Sequence, residues 1–280
     1  MAGMLARAGL HLSATTVSRM LCDDRRPALT ALRDEPLTAT RAVTARRPNH
    51  VWHVDLTTVP IGGGFRCAWS PLALPQCWPF CWWVVVIVDH FSRRVMGVAT
   101  FARQPTSAQV RAFLGRTIEQ AKTVPEHIVC DRGCQFDCHG YRRWCRRRGI
   151  RPRYGAIGRH GSIAVVERCI RTLKESLRQL AIMPMRRTAF RQELSLIADC
   201  YNEHRPHETL SGRTPNEVYH RRFPANRRPR HEPRQRWPRG SACAKPWALT
   251  RGRPGARLRL EVLFHAGRRH LPIVTLKRVA

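Results

Sequence analysis

The chain has 280 residues, of which 50 are Lys or Arg and 19 are Asp or Glu, so its formal net charge is +31 at pH 7. A hydrophobic fraction of 43% is enough to build a core and excludes wholesale disorder, while the longest apolar run, Phe80 to Val88, is too short to cross a bilayer. So large a positive excess repels itself in a compact chain unless a polyanion neutralises it, which makes nucleic acid the expected partner, although Arg outnumbers Lys as a codon bias would also give.

Residues 1–25 are expected to be helical, with Ser13 as a cap before the apolar spacing of Ala14 to Leu21; a plain terminal helix and the remnant last helix of a helix-turn-helix fit equally. Residues 26–48, polar and rich in Arg and Pro, read as a linker. Val51 to Val59 alternates and is rich in β-formers, which predicts a strand. Gly62-Gly63-Gly64 and Pro71 to Pro79 mark a long irregular insertion. Trp82 to Phe91 then predicts a continuously apolar, central strand, joined through Ser92-Arg93-Arg94 to a hairpin partner, Val95 to Phe101. Thr106 to Ala121 predicts a helix with Val110, Phe113, Leu114, Thr117 and Ile118 on one face. His127 to Cys130 is a short strand ending at Asp131, Gly140 to Arg148 an Arg-loaded helix closed by Gly149, and Arg151 to Tyr154 another strand. A glycine-containing loop, Gly155 to Gly161, leads into a long helix over Ile163 to Leu180, and Ala189 to Tyr201 predicts one more.

The order β-β-β-α-β-α-β-α-α predicts an α/β fold, a mixed sheet with helices on both faces. Residues 221–255 form a basic Arg/Pro-rich linker, and 256–280 alternate again as a small β-hairpin module. No apolar signal core opens the chain, so a cytoplasmic, nucleoid-associated protein with no membrane partner is expected. The 11 cysteines contain no Cys-x-x-Cys pair, so zinc through that motif lacks support. Cys130, Cys134 and Cys138 read as small, semi-buried thiols in a reducing compartment.

Acids are scarce here, and one in an apolar setting needs a reason, because a buried carboxylate is costly unless paired or metal-bound. Asp55 sits mid-strand between Val54 and Leu56, Asp131 ends a strand, and Glu167 lies in the opening of a helix. Asp131 and Glu167 have 35 residues between them, enough chain to bring the start of the long helix back to the sheet edge. Asp89 is assigned instead to capping the Ser92 turn.

The segments Trp52-His53-Val54-Asp55, Asp89-His90-Phe91-Ser92-Arg93-Arg94, Asp131-Arg132-Gly133-Cys134-Gln135-Phe136, Ala164-Val165-Val166-Glu167-Arg168 and Thr172-Leu173-Lys174 occur in an order that carries a resemblance. So do Tyr201-Asn202-Glu203-His204-Arg205-Pro206-His207, Leu210 and Thr214-Pro215. Together, across about residues 50–220, they resemble the catalytic core of retroviral-type integrases and insertion-sequence transposases, the DDE family. The resemblance implies an RNase H-like, mixed five-stranded sheet in a core at 49–220, with Asp55, Asp131 and Glu167 as its DD(35)E triad. It implies metal-dependent DNA cleavage and strand transfer on element ends and target DNA, by a homo-oligomer assembled on DNA. The implied cofactor is a pair of Mg²⁺ ions, with Mn²⁺ as the substitute. Hard cations take carboxylate oxygens, and two of them roughly 3.5–4 Å apart serve an in-line phosphodiester displacement; Asp55 would bridge both, with Asp131 and Glu167 completing one shell each.

Glu167, Arg171, Lys174 and Arg178 share one helix face, a cationic stripe that, with Arg168, is expected to meet DNA phosphates. Val166, Ile170, Leu173 and Leu177 form the neighbouring, sheet-packing face. Arg205 and His207 either touch DNA or hold their corner together. Relatives often carry a small hydroxyl residue where Cys134 stands and Asp-Asn-like residues near Ser162-Ile163. The alternative reading is therefore a decayed or repurposed, non-catalytic DNA-binding protein.

Overall fold

A computed structural model of the chain describes residues 1–21, 44–61, 77–155, 164–180, 182–225 and 257–279. In chain order these form α1 (Ala2–Ala8), α2 (Ala14–Leu21), β1 (Val51–Pro60), β2 (Cys81–Asp89), β3 (Val95–Phe101), α3 (Ser107–Ala121) and β4 (His127–Cys130). There follow α4 (His139–Arg147), β5 (Arg151–Tyr154), α5 (Ala164–Leu177), α6 (Arg187–His204), α7 (Pro215–Tyr219), β6 (Arg257–Phe264) and β7 (Pro272–Val279). The expected linkers at 26–48 and 221–255, the insertion at Gly62–Gly64 and Pro71–Pro79, and the loop ending at Gly161 lie wholly or largely outside the described residues.

The chain divides into two compact units, one of Thr40–Asn202 and one of Met1–Ala39 with Glu203–Ala280. The first is built on a five-stranded sheet ordered β3-β2-β1-β4-β5. β1, β2 and β3 pair antiparallel, whereas β1 with β4 and β4 with β5 pair parallel. β2 is buried on both faces, with Val84 to Val88 all at 2% exposure or less, which is why it lacks the alternation of a half-solvated strand. Directly opposed residues on antiparallel strands share a face, so Val54, Ile87 and Gly97 lie on one side and Asp55, Val86 and Val98 on the other. α3 covers the first side, where Phe113 and Thr117 meet Gly97; it starts with a Thr106–Gln109 capping box. α5 packs on β1 and β2 through Val166, Ile170, Leu173 and Leu177, all buried. Asn202 of α6 secures the start of β3: its Oδ1 accepts from the Val95 N–H at 2.8 Å and its Nδ2 donates to the Val95 carbonyl at 2.9 Å.

In the other unit the expected single terminal helix is two, because the chain leaves α1 at Gly9 with φ 104°, a left-handed conformation that only glycine adopts cheaply. Arg7 of α1 reaches Glu217 at 2.7 Å. Glu217 also accepts from the backbone N–H groups of Thr214 and Ala225, both at 2.9 Å, and so closes the cap of α7. The β6–β7 hairpin pairs from Arg257↔Val279 to Phe264↔Pro272, and α1 packs against β7.

Candidate active site

Strand pairing and one helix bring the three acids together. β1 and β4 run parallel with His53 opposite Val129, so two residues further along each chain Asp55 and Asp131 arrive at the same end of the sheet. α5 lies over the Asp55 side, and Glu167 stands in its first turn. Asp55 is half-buried, while Asp131 and Glu167 are exposed. The proximity is electrostatic: the Asp55 carboxyl is raised from 3.8 to about 6, first by burial and then by repulsion from Asp131 and Glu167. The Leu56 N–H, donating to Asp55 Oδ1 at 2.8 Å, and the Lys174 ammonium oppose that rise. Lys174 itself is held below its ordinary value by burial and by Arg178, with Asp55 pulling the other way.

Asp131 is oriented by its own turn, where the Gly133 N–H donates to Oδ1 at 3.2 Å. A Cβ at Gly133 would stand 2.9 Å from Gln135 Oε1 and 3.1 Å from Asp131 Oδ1, so any larger residue here would press on both side chains and shift the carboxylate. Asp89 does what its turn position suggested. It is buried and accepts from the Ser92 N–H, the Ser92 hydroxyl and the Asn49 N–H at 2.6–2.8 Å.

The expected phosphate contacts divide. Arg168 and Arg171 are exposed on α5, Arg178 is exposed just past its end, and Lys174 is half-buried beside Asp55. Arg205 and His207 belong to the other unit, where Arg205 is exposed and the His207 N–H donates to the Arg213 carbonyl at 3.0 Å. The described cysteines are free thiols: Cys130 is buried, Cys138 half-buried and Cys134 exposed, so the semi-buried expectation misses Cys134.

A polar group unforeseen in the sequence adjoins the acids. His53, two residues before Asp55 and hence on the same face of β1, is fully buried, and its Nε2 lies 2.7 Å from His90 Nδ1. Burial first, then His90 and Arg93, push His53 down to about 3. Burial and Arg93 take His90 to about 4. Arg93, at φ 63°, interacts with Tyr201 and Asp89 and is opposed by Arg168. Strand alternation alone would have put His53 beside Asp55.

All three acids offer oxygen donors, so the set fits a hard divalent cation better than a soft one. The sheet order and flanking helices define an RNase H-like core. Two models of the integrase core domain match the chain, at residues 45–160 and 148–215. The chain belongs to the DDE integrase/transposase family. An integrase core supports a role in DNA integration or transposition.

Solved structures similar to the chain include the HTLV-2 integrase catalytic core domain in complex with magnesium, 19% identical with TM-score 0.45, covering 63% of this chain and 100% of that one. The BIV integrase catalytic core domain is 24% identical with TM-score 0.45, covering 62% and 95%. The simian T-cell lymphotropic virus intasome in complex with PP2A regulatory subunit B56 gamma is 19% identical with TM-score 0.49, covering 95% and 81%. No curated protein matches.

Proposed function

We propose that this chain is a transposase that cuts and joins DNA strands, with Asp55, Asp131 and Glu167 as its catalytic acids. The observation that carries the reading is the elevated Asp55 carboxyl, raised by burial and by two like charges with one opposing lysine. Such a set is poorly stable ionised and empty, and it becomes favourable when cations join it. Asp55, Asp131 and Glu167 would hold two Mg²⁺ ions, or Mn²⁺ in their place, which when bound supply Lewis acidity at the scissile phosphate.

The chain's own residues prepare that site. The Leu56 N–H fixes one oxygen of Asp55 and the Gly133 N–H one oxygen of Asp131, leaving the second oxygen of each carboxylate outside those contacts. Lys174 limits the charge the acids present before DNA arrives. Arg168 and Arg171 on α5, and Arg178 in the turn that follows it, extend from Glu167 and would carry the phosphates of element-end or target DNA away from the acids. Arg205 and His207 are proposed as further DNA contacts. Joining two element ends to one target calls for at least two protomers, so assembly on DNA is part of this reading.

A strand-transfer assay with element-end duplexes tests it. Wild type should give Mg²⁺-dependent nicked and joined products, and Asp55→Ala and Asp131→Asn should each lose at least a thousandfold in rate. Full-rate joining by either variant removes the acids from the chemistry. The exposed Cys134 beside the Asp131 turn, where relatives often have a hydroxyl, favours a second reading: a DNA-binding protein that no longer cuts. Salt-sensitive duplex binding by wild type, with no product under Mg²⁺ or Mn²⁺, selects that one.

A further inference from the structure

A second set of ligating side chains lies at the opposite end of the parallel strands. His50 immediately precedes β1, and Glu126 and His127 stand at the start of β4. One ligand atom from each lies within 4.8 Å of the others. The backbone ties the two histidines together, since the His127 N–H donates to the His50 carbonyl at 3.1 Å. Their rings meet edge to face with centroids 5.6 Å apart. His50 Nε2 is 3.6 Å from Glu126 Oε2, too long for a good hydrogen bond. His127 Nδ1 is buried with no hydrogen-bond partner among the described residues, and a buried ring nitrogen in that state calls for an explanation.

We propose that His50, Glu126 and His127 bind one zinc-class dication, separate from the three acids. Asp55 lies five residue steps along the chain from His50, roughly 16 Å at about 3.3 Å per residue. Two imidazoles and a carboxylate form a three-ligand zinc set with a fourth position open to water. The surroundings select against magnesium. Arg47 contacts Glu126, and Arg151 and Arg153 act on His127, so an ion held by charge alone would be repelled. An ion that accepts imidazole lone pairs gains what magnesium cannot.

Two existing contacts must yield. The Arg47–Glu126 pair is about half exposed on both sides, 56% and 49%, and such pairs hold weakly. The Arg46 N–H donates to His50 Nδ1 at 3.2 Å; coordination through Nε2 moves the ring proton to Nδ1 and releases that exposed bond. The bound ion would join the starts of two sheet strands and stabilise only the folded chain.

The test uses the full-length protein, stripped with chelator, held in excess Mg²⁺, and titrated with Co²⁺ and separately with Zn²⁺. Wild type and Asp131→Asn should each take up one Co²⁺ with the intense visible bands of a four-coordinate ion and no thiolate charge-transfer absorption. Zn²⁺ should raise the melting temperature of both. His127→Ala should lose that equivalent. Glu126→Gln, at a half-exposed position whose loss leaves the fold intact, should bind at least tenfold more weakly. The proposal is overturned if wild type shows no four-coordinate signal, if thiolate bands accompany it, or if Glu126→Gln and His127→Ala both bind as wild type does.

Discussion

Asp55 is under opposing demands: the proposed role asks its carboxylate to hold a cation, while burial and the charges of Asp131 and Glu167 make its ionised form unfavourable. In chelator the folded state keeps its proton up to pH about 6, whereas the unfolded chain releases it near the ordinary 3.8. Between those values the folded state binds more protons, so stability must fall as pH rises from about 4 to about 6 and then level off. The full drop is on the order of 2–3 kcal/mol. Asp55→Asn should abolish it. Denaturant unfolding in chelator should find that variant more stable than wild type at pH 7 by a comparable amount, although it joins no DNA. Parallel pH profiles for the two proteins would mean that the carboxylate is not buried as described. Gly133 makes the converse case. Gly133→Ala forces a methyl against Asp131 Oδ1 and Gln135 Oε1, and Gln135 is itself buried and has little room to yield. Strand transfer should fall roughly tenfold or more while the unfolding free energy changes by no more than about 1 kcal/mol, the outcome expected when a catalytic group moves and the core does not.

At the scale of elements, the site depends on how β1, β3, β4, α5 and α6 are held. Asn202 satisfies both backbone groups of Val95 from α6. Asn202→Ala leaves a buried N–H and carbonyl unpaired, and should cost about 2–4 kcal/mol in denaturant unfolding; a cost below about 0.5 kcal/mol would show that water replaces the amide. This contact also marks the limit of what the sequence discloses. β2 was legible because a run such as Trp82 to Val88 has no alternative to burial, and α5 because Val166, Ile170, Leu173 and Leu177 repeat at helical spacing. Its length was overread, to Leu180 against an end at Leu177, since helix ends depend on local caps and not on periodicity. The pairing of His53 with His90, the bracing of Val95 by Asn202, and the meeting of His50 with His127 were not legible. Each joins residues whose separation in sequence says nothing of their register across the sheet. The acids were singled out because their residue type and order resemble a family; their mutual repulsion at Asp55 emerges only once β1, β4 and α5 are assembled.

Across the whole molecule the dominant fact is a formal charge of +31, which no arrangement of 19 acids against 50 bases can neutralise internally. Among the described residues the ion pairs are few, and those such as Arg47–Glu126 and Arg142–Asp137 are solvent-exposed, so they do little against the self-repulsion. Much of the charge therefore remains for a polyanion, and duplex of any sequence should raise the melting temperature, with the gain vanishing as salt screens it. Binding spread over many phosphates falls with salt at about 0.9 log units per contact per log unit of salt. Removing one exposed contact on α5 or in the turn just after it should then subtract about one from that slope and leave the rest. Arg171→Ala and Arg178→Ala are suitable variants, because both side chains are exposed and their loss should leave unfolding unchanged to within about 0.5 kcal/mol. Affinity for a random duplex, measured at several salt concentrations, checks both parts. An unaltered slope in either variant takes that arginine off the DNA path, whereas complete loss of binding from one substitution would mean that the positive charge acts at a point and not as an extended surface.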